Sequence, residues 1–96
     1  MRLGALVARR NSWRRHQVSG TGRGVITVVP VTSNTTRLYP FQIFLPASQT
    51  GLQHDSKAQA EQIRSVAVER VGGRLGQLPA TLIAELDRAL RVHLSL

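Results

Sequence analysis

The segment VITVVPVTSN, residues 25–34, decides the fold. Val25 to Val31 is a nearly continuous run of β-branched residues, bounded by Gly24 on one side and by Thr32-Ser33-Asn34 on the other. Such a run between turn-forming residues predicts a strand buried on both sides. Pro30 cannot donate to a ladder, so it marks the end of that strand or an edge position. Immediately downstream, Phe41-Gln42-Ile43-Phe44-Leu45 alternates briefly between Pro40 and Pro46 and predicts a second strand. Residues 47–56 read as turns, with Gly51 and Asp55-Ser56 as breakers.

Further out the signals diverge. KAQAEQIRSVAVER (57–70) has the Ala, Gln, Glu and Arg content of a helix, and neither parity of its residues is cleanly apolar, so composition alone favours helix. Gly72-Gly73 reads as a turn and Arg74 to Leu78 as a short strand. In PATLIAELDRALRVHL (79–94), Leu82, Leu86, Ala89 or Leu90, and His93 or Leu94 recur at helical spacing and form one apolar stripe. Pro79 suits the first turn, and Glu85 and Asp87 precede Arg88 and Arg91 in the order the helix dipole favours. The chain therefore ends in an amphipathic helix of about four turns, docked on a sheet.

Ninety-six residues make one small domain. A single core of this size buries roughly 60–65% of the surface of the unfolded chain, so pairing of subunits is a natural supplement. With no cysteine, a disulfide framework and a thiolate zinc site are excluded, and His16, His54 and His93 are scattered without metal-ligand spacing; neither a metal nor a cofactor is expected. No apolar run approaches the roughly 20 residues needed to cross a bilayer. The net charge of +8 is unevenly spread, with seven arginines and no acids up to His54, then six basic and five acidic residues. Twelve of the thirteen basic residues are arginine, whose planar fork suits phosphate, so a polyanion partner is expected: nucleic acid or an acidic protein segment. A GC-rich genome would enrich arginine equally well without any ligand. Residues 1–23 are Arg-rich and acid-free in the manner of a mitochondrial presequence, whereas the short LGALVA stretch fits an export signal poorly.

Chemistry has three candidate locations. Thr32-Ser33-Asn34 ends the first strand; read alone it is a turn, although the restricted χ1 of Thr32 would aim its hydroxyl well. Glu61-Gln62-Ile63-Arg64-Ser65 holds a carboxylate and a guanidinium three residues apart, and composition does not say whether they meet or form only an exposed ion pair. Asp55 and Ser56 in GLQHDSK (51–57) read as capping residues, His54 as an exposed loop residue and His93 as a helix-end residue.

Taken in order, VITVVPVTSN, YPFQIFLP (39–46), GLQHDSKAQAEQIRSV (51–66), GRLGQL (73–78) and the terminal helix resemble the MazF/PemK/Kid toxins of bacterial toxin–antitoxin pairs, over residues 23–96. The resemblance implies an α+β fold, a small SH3-like β-barrel of the MazF/CcdB kind with a C-terminal amphipathic helix, and it places a strand where composition favours helix in residues 57–68. It implies metal-independent, sequence-specific cleavage of single-stranded RNA, a homodimer, a cytoplasmic location, and neutralisation by a MazE-like antitoxin with an acidic flexible tail. PVTSN (30–34) matches the segment that carries the family's catalytic threonine, giving that role to Thr32, with Ser33, Asn34 and Arg37 as RNA contacts. EQIRS (61–65) matches the segment lying against the RNA groove, so Gln62 and Arg64 would contact RNA and Glu61 would stand where some members place a base. Gln59 departs from the arginine that Kid-like members carry two residues before that acid.

The resemblance divides the chain into an Arg-rich, divergent segment (1–24) and a toxin domain (25–96). The family's opening Arg-Gly-(Asp/Glu)-(Ile/Leu)-Trp strand has no counterpart, which leaves open whether the barrel keeps its first strand or strands. Arg2 in RLGALVARRN (2–11) is the candidate for the second catalytic residue, with Ala5 to Ala8 as its strand. A truncated or frame-shifted gene copy, or a misassigned start, would account for the mismatch and make residues 11–24 a loop; Arg9, Arg10, Arg14 and Arg15 beside Trp13 could otherwise form an RNA-gripping arm. Two other functions stay open: an inactive homologue that only binds antitoxin, and a basic nucleic-acid-binding module.

Overall fold

The computed structural model describes residues 6–10, 24–67 and 70–96. Among these residues, seven strands, β1 (Leu6–Arg10), β2 (Val25–Val28), β3 (Val31–Thr32), β4 (Gln42–Leu45), β5 (Ser56–Gln59), β6 (Arg64–Ala67) and β7 (Val71–Gln77), join two helices, α1 (Ala47–Thr50) and α2 (Ala80–Leu94). All strand pairs are antiparallel: β3-β5-β4 form a central three-stranded sheet, β2 pairs with β6, and β1 pairs with β7. Among the described residues these three sheets do not close into one barrel, so the expected barrel is represented by its separate sheets. A strand does precede Val25: β1 at Leu6–Arg10 overlaps the segment Ala5–Ala8 for which one was expected.

Pro30 divides the predicted first strand as its missing N–H requires, leaving β2 before it and β3 after it. Its carbonyl still accepts from the Gln59 amide at 2.9 Å, which extends the β3–β5 ladder by one rung. The expectation that this segment is buried on both sides is overturned: Val25 is 68% exposed, and β2 and β6 form a two-stranded ribbon. The run is exposed at its start, Val25 to Thr27, whereas Val29 is half-buried and packs against the core.

The central sheet carries the core. Ile43 and Leu45 of β4, with Ala58 of β5, face Leu82 and Ala89 of α2, while Ala60 and Leu78 complete the buried set. The apolar stripe of α2 is therefore its docking face, with Leu86 and Leu90 half-buried behind it; His93 and Leu94, past the edge of the sheet, are exposed. Pro79 precedes the first turn as the N-cap, one residue outside the predicted position. Ser95 ends the helix in the left-handed conformation, its amide reaching the Val92 carbonyl at 3.3 Å.

Three local expectations are corrected. Of residues 57–68, the described ones, 57–67, form neither the helix that composition favours nor one strand, but β5, a 3-10 turn at Ala60–Gln62, and β6. Cross-strand pairing with β3, β4 and β2 decides the outcome, as sheet context does when local propensity is weak. Gly72-Gly73 lies inside β7 rather than in a turn. Residues 47–50, read as turn, form the short helix α1, whose first amide (Ala47) is capped by Asp55 Oδ1 at 2.8 Å. Asp55 thus caps the helix before it rather than the element after it.

The crossing of α1 over β7 has a steric requirement. A Cβ on Gly76 would lie 2.7 Å from the Thr50 carbonyl oxygen, and one on Gly51, at φ +84°, would lie 2.5 Å from the Leu75 carbonyl oxygen. Backbone meets backbone there, and only glycine at both positions permits it.

Candidate functional site

Register places three side chains in one row across the central sheet. Thr32 of β3 pairs with Lys57 of β5, which pairs with Phe44 of β4. Val31, Ala58 and Ile43 form the next row and point to the opposite face, where the core lies. The face bearing Thr32 is thus the one turned away from Ile43 and Ala58, and residues 33–41 fold over it.

Thr32 is half-buried at the strand end, and its Oγ1 accepts the Asn34 amide at 3.2 Å. Asn34 Oδ1 in turn accepts the Thr36 amide at 3.2 Å, so two successive side-chain-to-backbone turns shape the loop. Among the described residues no acceptor takes the Thr32 hydroxyl proton. Ser33, Asn34 and Arg37 are exposed around it, and the Arg37 guanidinium donates to the Tyr39 hydroxyl at 3.0 Å. Tyr39 stacks on Phe41, centroids 5.5 Å apart and planes 7° from parallel.

Glu61 sits in the 3-10 turn with one carboxylate oxygen accepting from Gln42 Nε2 at 2.9 Å, while Gln42 Oε1 accepts the Tyr39 amide at 3.2 Å. The same loop is therefore tied to Glu61 through Gln42. The other oxygen, Oε1, is buried and has no hydrogen-bond partner among the described residues. Glu61 and Arg64 do not form an ion pair: the one salt bridge among the described residues joins Arg91 to Asp87. The question that spacing left open is settled by the break at Ile63, which separates the turn carrying Glu61 from the strand carrying Arg64. Arg64 is exposed on β6 opposite Val28, and Gln62 is exposed at the end of the turn.

Thr32, Ser33, Asn34 and Arg37 are thus brought together, Glu61 joins them through Gln42, and Gln62 and Arg64 lie on the adjoining turn and strand. Arg2 and the proposed arm at Arg14 and Arg15 lie outside the described residues. His54 is exposed and contributes its carbonyl to Ser56 Oγ at 2.9 Å. Among the described residues no three His, Asp or Glu side chains are grouped to hold a metal, and no helix is long and apolar enough to cross a membrane. Sequence reasoning missed Lys57, Tyr39 and Gln42. Gln42 shares a sheet face with Lys57, and its burial at 4% exposure is visible only once the loop is folded over it.

The family profile described as PemK-like, MazF-like toxin of type II toxin-antitoxin system matches residues 14–94. The chain belongs to this family. Endoribonuclease MazF9 of Mycobacterium tuberculosis (strain ATCC 25618 / H37Rv) is 61% identical over 75 residues, covering 78% of this chain and 64% of that protein. Endoribonuclease MazF2 of Mycobacterium bovis is 39% identical over 67 residues, 69% of this chain and 59% of its own length. The MazF-like chain thus spans less than two thirds of the length of these relatives. Among solved structures, the Mycobacterium tuberculosis toxin MazF-mt6 superimposes with a TM-score of 0.68 at 24% identity, covering 75% of this chain and 71% of that one. An endoribonuclease in complex with its cognate antitoxin, from a mycobacterial species, gives 0.73 at 20% identity, covering 100% of this chain and 97% of that one. These superpositions establish a common fold.

Proposed function

We infer that this MazF-like chain is the endoribonuclease toxin of a toxin–antitoxin pair, cleaving single-stranded RNA in the bacterial cytoplasm. The 2′-hydroxyl attacks the adjacent phosphorus and gives up its proton to a base. The P–O5′ bond breaks and the departing 5′-oxygen takes up a proton, leaving a 2′,3′-cyclic phosphate and a 5′-hydroxyl. Glu61, whose carboxylate Gln42 orients, is assigned the first proton because it stands in sequence where some family members carry a base. Thr32 donates to a non-bridging phosphate oxygen as charge builds there, and Arg37 and Arg64 supply cationic surface beside it. The observation that carries this reading is the fixed Thr32 hydroxyl, which accepts the Asn34 amide and keeps its own proton for an incoming oxygen.

The endoribonuclease name of the 61% identical relative supports the same reading. So does the net charge of +8: a basic surface attracts RNA, and it equally suits the acidic, flexible tail of an antitoxin. Pairing into a homodimer is proposed on the same family grounds. The test is incubation of the purified protein with single-stranded RNA in EDTA. Cleavage leaving cyclic phosphate ends is expected, with Thr32→Ala lowering the rate by about 10²-fold or more, the loss typical of a removed oxyanion donor. No cleavage, or cleavage indifferent to Thr32→Ala, overturns the proposal.

A further inference from the structure

Lys57 is the only lysine in the chain and is 7% exposed, an unusual place for an ammonium group. It lies directly across the ladder from Thr32, so the two side chains start about 5 Å apart on one sheet face. Its Nζ donates to the Arg37 carbonyl at 2.7 Å and stands 5.8 Å from the centre of the Tyr39 ring. Both are within the range of charge-assisted and cation–π contacts. Among the described residues no carboxylate lies within ion-pair distance of it. The charge is thus held by a backbone oxygen and an aromatic face, both on the loop that follows Thr32. A lysine serving only the core would not be needed here, because the core packs on the opposite face of β5.

We propose that Lys57 is a positioning residue for RNA binding: it pins the 37–39 stretch to the sheet, so that the Arg37 guanidinium and the Tyr39 ring are held on the face of the sheet that carries Thr32. The geometry forms a continuous chain. Lys57 fixes the Arg37 carbonyl, the Arg37 guanidinium reaches the Tyr39 hydroxyl, and the Tyr39 amide is held by Gln42. Without the ammonium the exposed loop exchanges that contact for water, Arg37 loses its fixed direction, and ordering it again is charged to RNA binding. A compact ammonium suits one carbonyl beneath a ring in a way that a planar guanidinium does not, which separates this position from the twelve arginines.

The inference rests on the proposed function, and its test separates the two. Binding of a single-stranded 2′-O-methyl RNA, which cannot be cleaved by 2′-hydroxyl attack, is followed by fluorescence anisotropy for the full chain, Lys57→Met, Arg37→Ala and the double variant. Each single change is expected to weaken binding about tenfold, and Arg37→Ala made in the Lys57→Met background is expected to add less than about twofold, because residues acting through one another are not additive. Tyr39 is the only tyrosine, so the ring resonances of tyrosine-labelled protein report the pin without RNA; Lys57→Met should move them toward unfolded-chain positions. If Lys57→Met does not fold, Lys57→Gln, too short to reach the Arg37 carbonyl, carries the same comparison. Additive losses, unchanged binding or unmoved Tyr39 resonances overturn the proposal, and so does a wild-type chain that binds no RNA. Binding with the predicted coupling but without cleavage of unmodified RNA upholds the positioning role and overturns the enzymatic reading alone.

Discussion

β2 and β4 are strands of equal length, each starting from an apolar segment, yet they have opposite fates. Ile43 is 1% exposed and Ile26 is 39% exposed. The difference is not in the residues but in what comes next along the chain. β4 has β5 beside it and α2 across it, while among the described residues β2 is paired with β6 alone. Burial is conferred by a third layer, so two strands of similar propensity contribute unequally to stability. The loop that carries the proposed site is attached to the well-supported sheet, which is where a hydroxyl proposed to act in catalysis would best be held.

The sharpest way to break the comparison is to remove side chains from both strands. Ile43→Ala is expected to destabilise the chain by about 2–5 kcal/mol, as deletion from a packed core does, with chemical denaturation as the measurement. Gly76→Ala should cost about 1–3 kcal/mol, because the new methyl must displace a backbone carbonyl of α1 and not a flexible side chain. Ile26→Ser at a concentration where the protein is monomeric should cost under about 1 kcal/mol. A loss as large as that of Ile43→Ala would show that the β2–β6 ribbon is covered after all.

The parts of the fold legible in the sequence are those whose signal is local. The α2 stripe from Leu82 to Leu90 and the short alternation at 41–45 each declare a face, and each meets the core with that face. Residues 57–67 could not be read, since their structure is dictated by partners on β2, β3 and β4 that are distant in sequence. β7 was misread at Gly72-Gly73 because the strand runs on through the pair: Arg74 and Val71 on either side of it are partnered by Ala8 and Arg10 of β1, and the glycines sit in the register shift between them. In the candidate site, Thr32 and Glu61 are proposed through resemblance to a family. Lys57 carried no signal of its own, and only the register that sets it opposite Thr32 gives it meaning.

One consequence of that buried lysine belongs to chemistry outside the proposed RNA site. Reagents that acylate neutral amines ignore guanidinium groups, so among thirteen basic side chains only one can react. Its amine lies beneath the loop and is engaged by the Arg37 carbonyl, so reaction must wait for the loop to lift. The slow arrival of one acyl group on Lys57 becomes a clock for how often the loop opens, and any ligand that seals the loop would stop it.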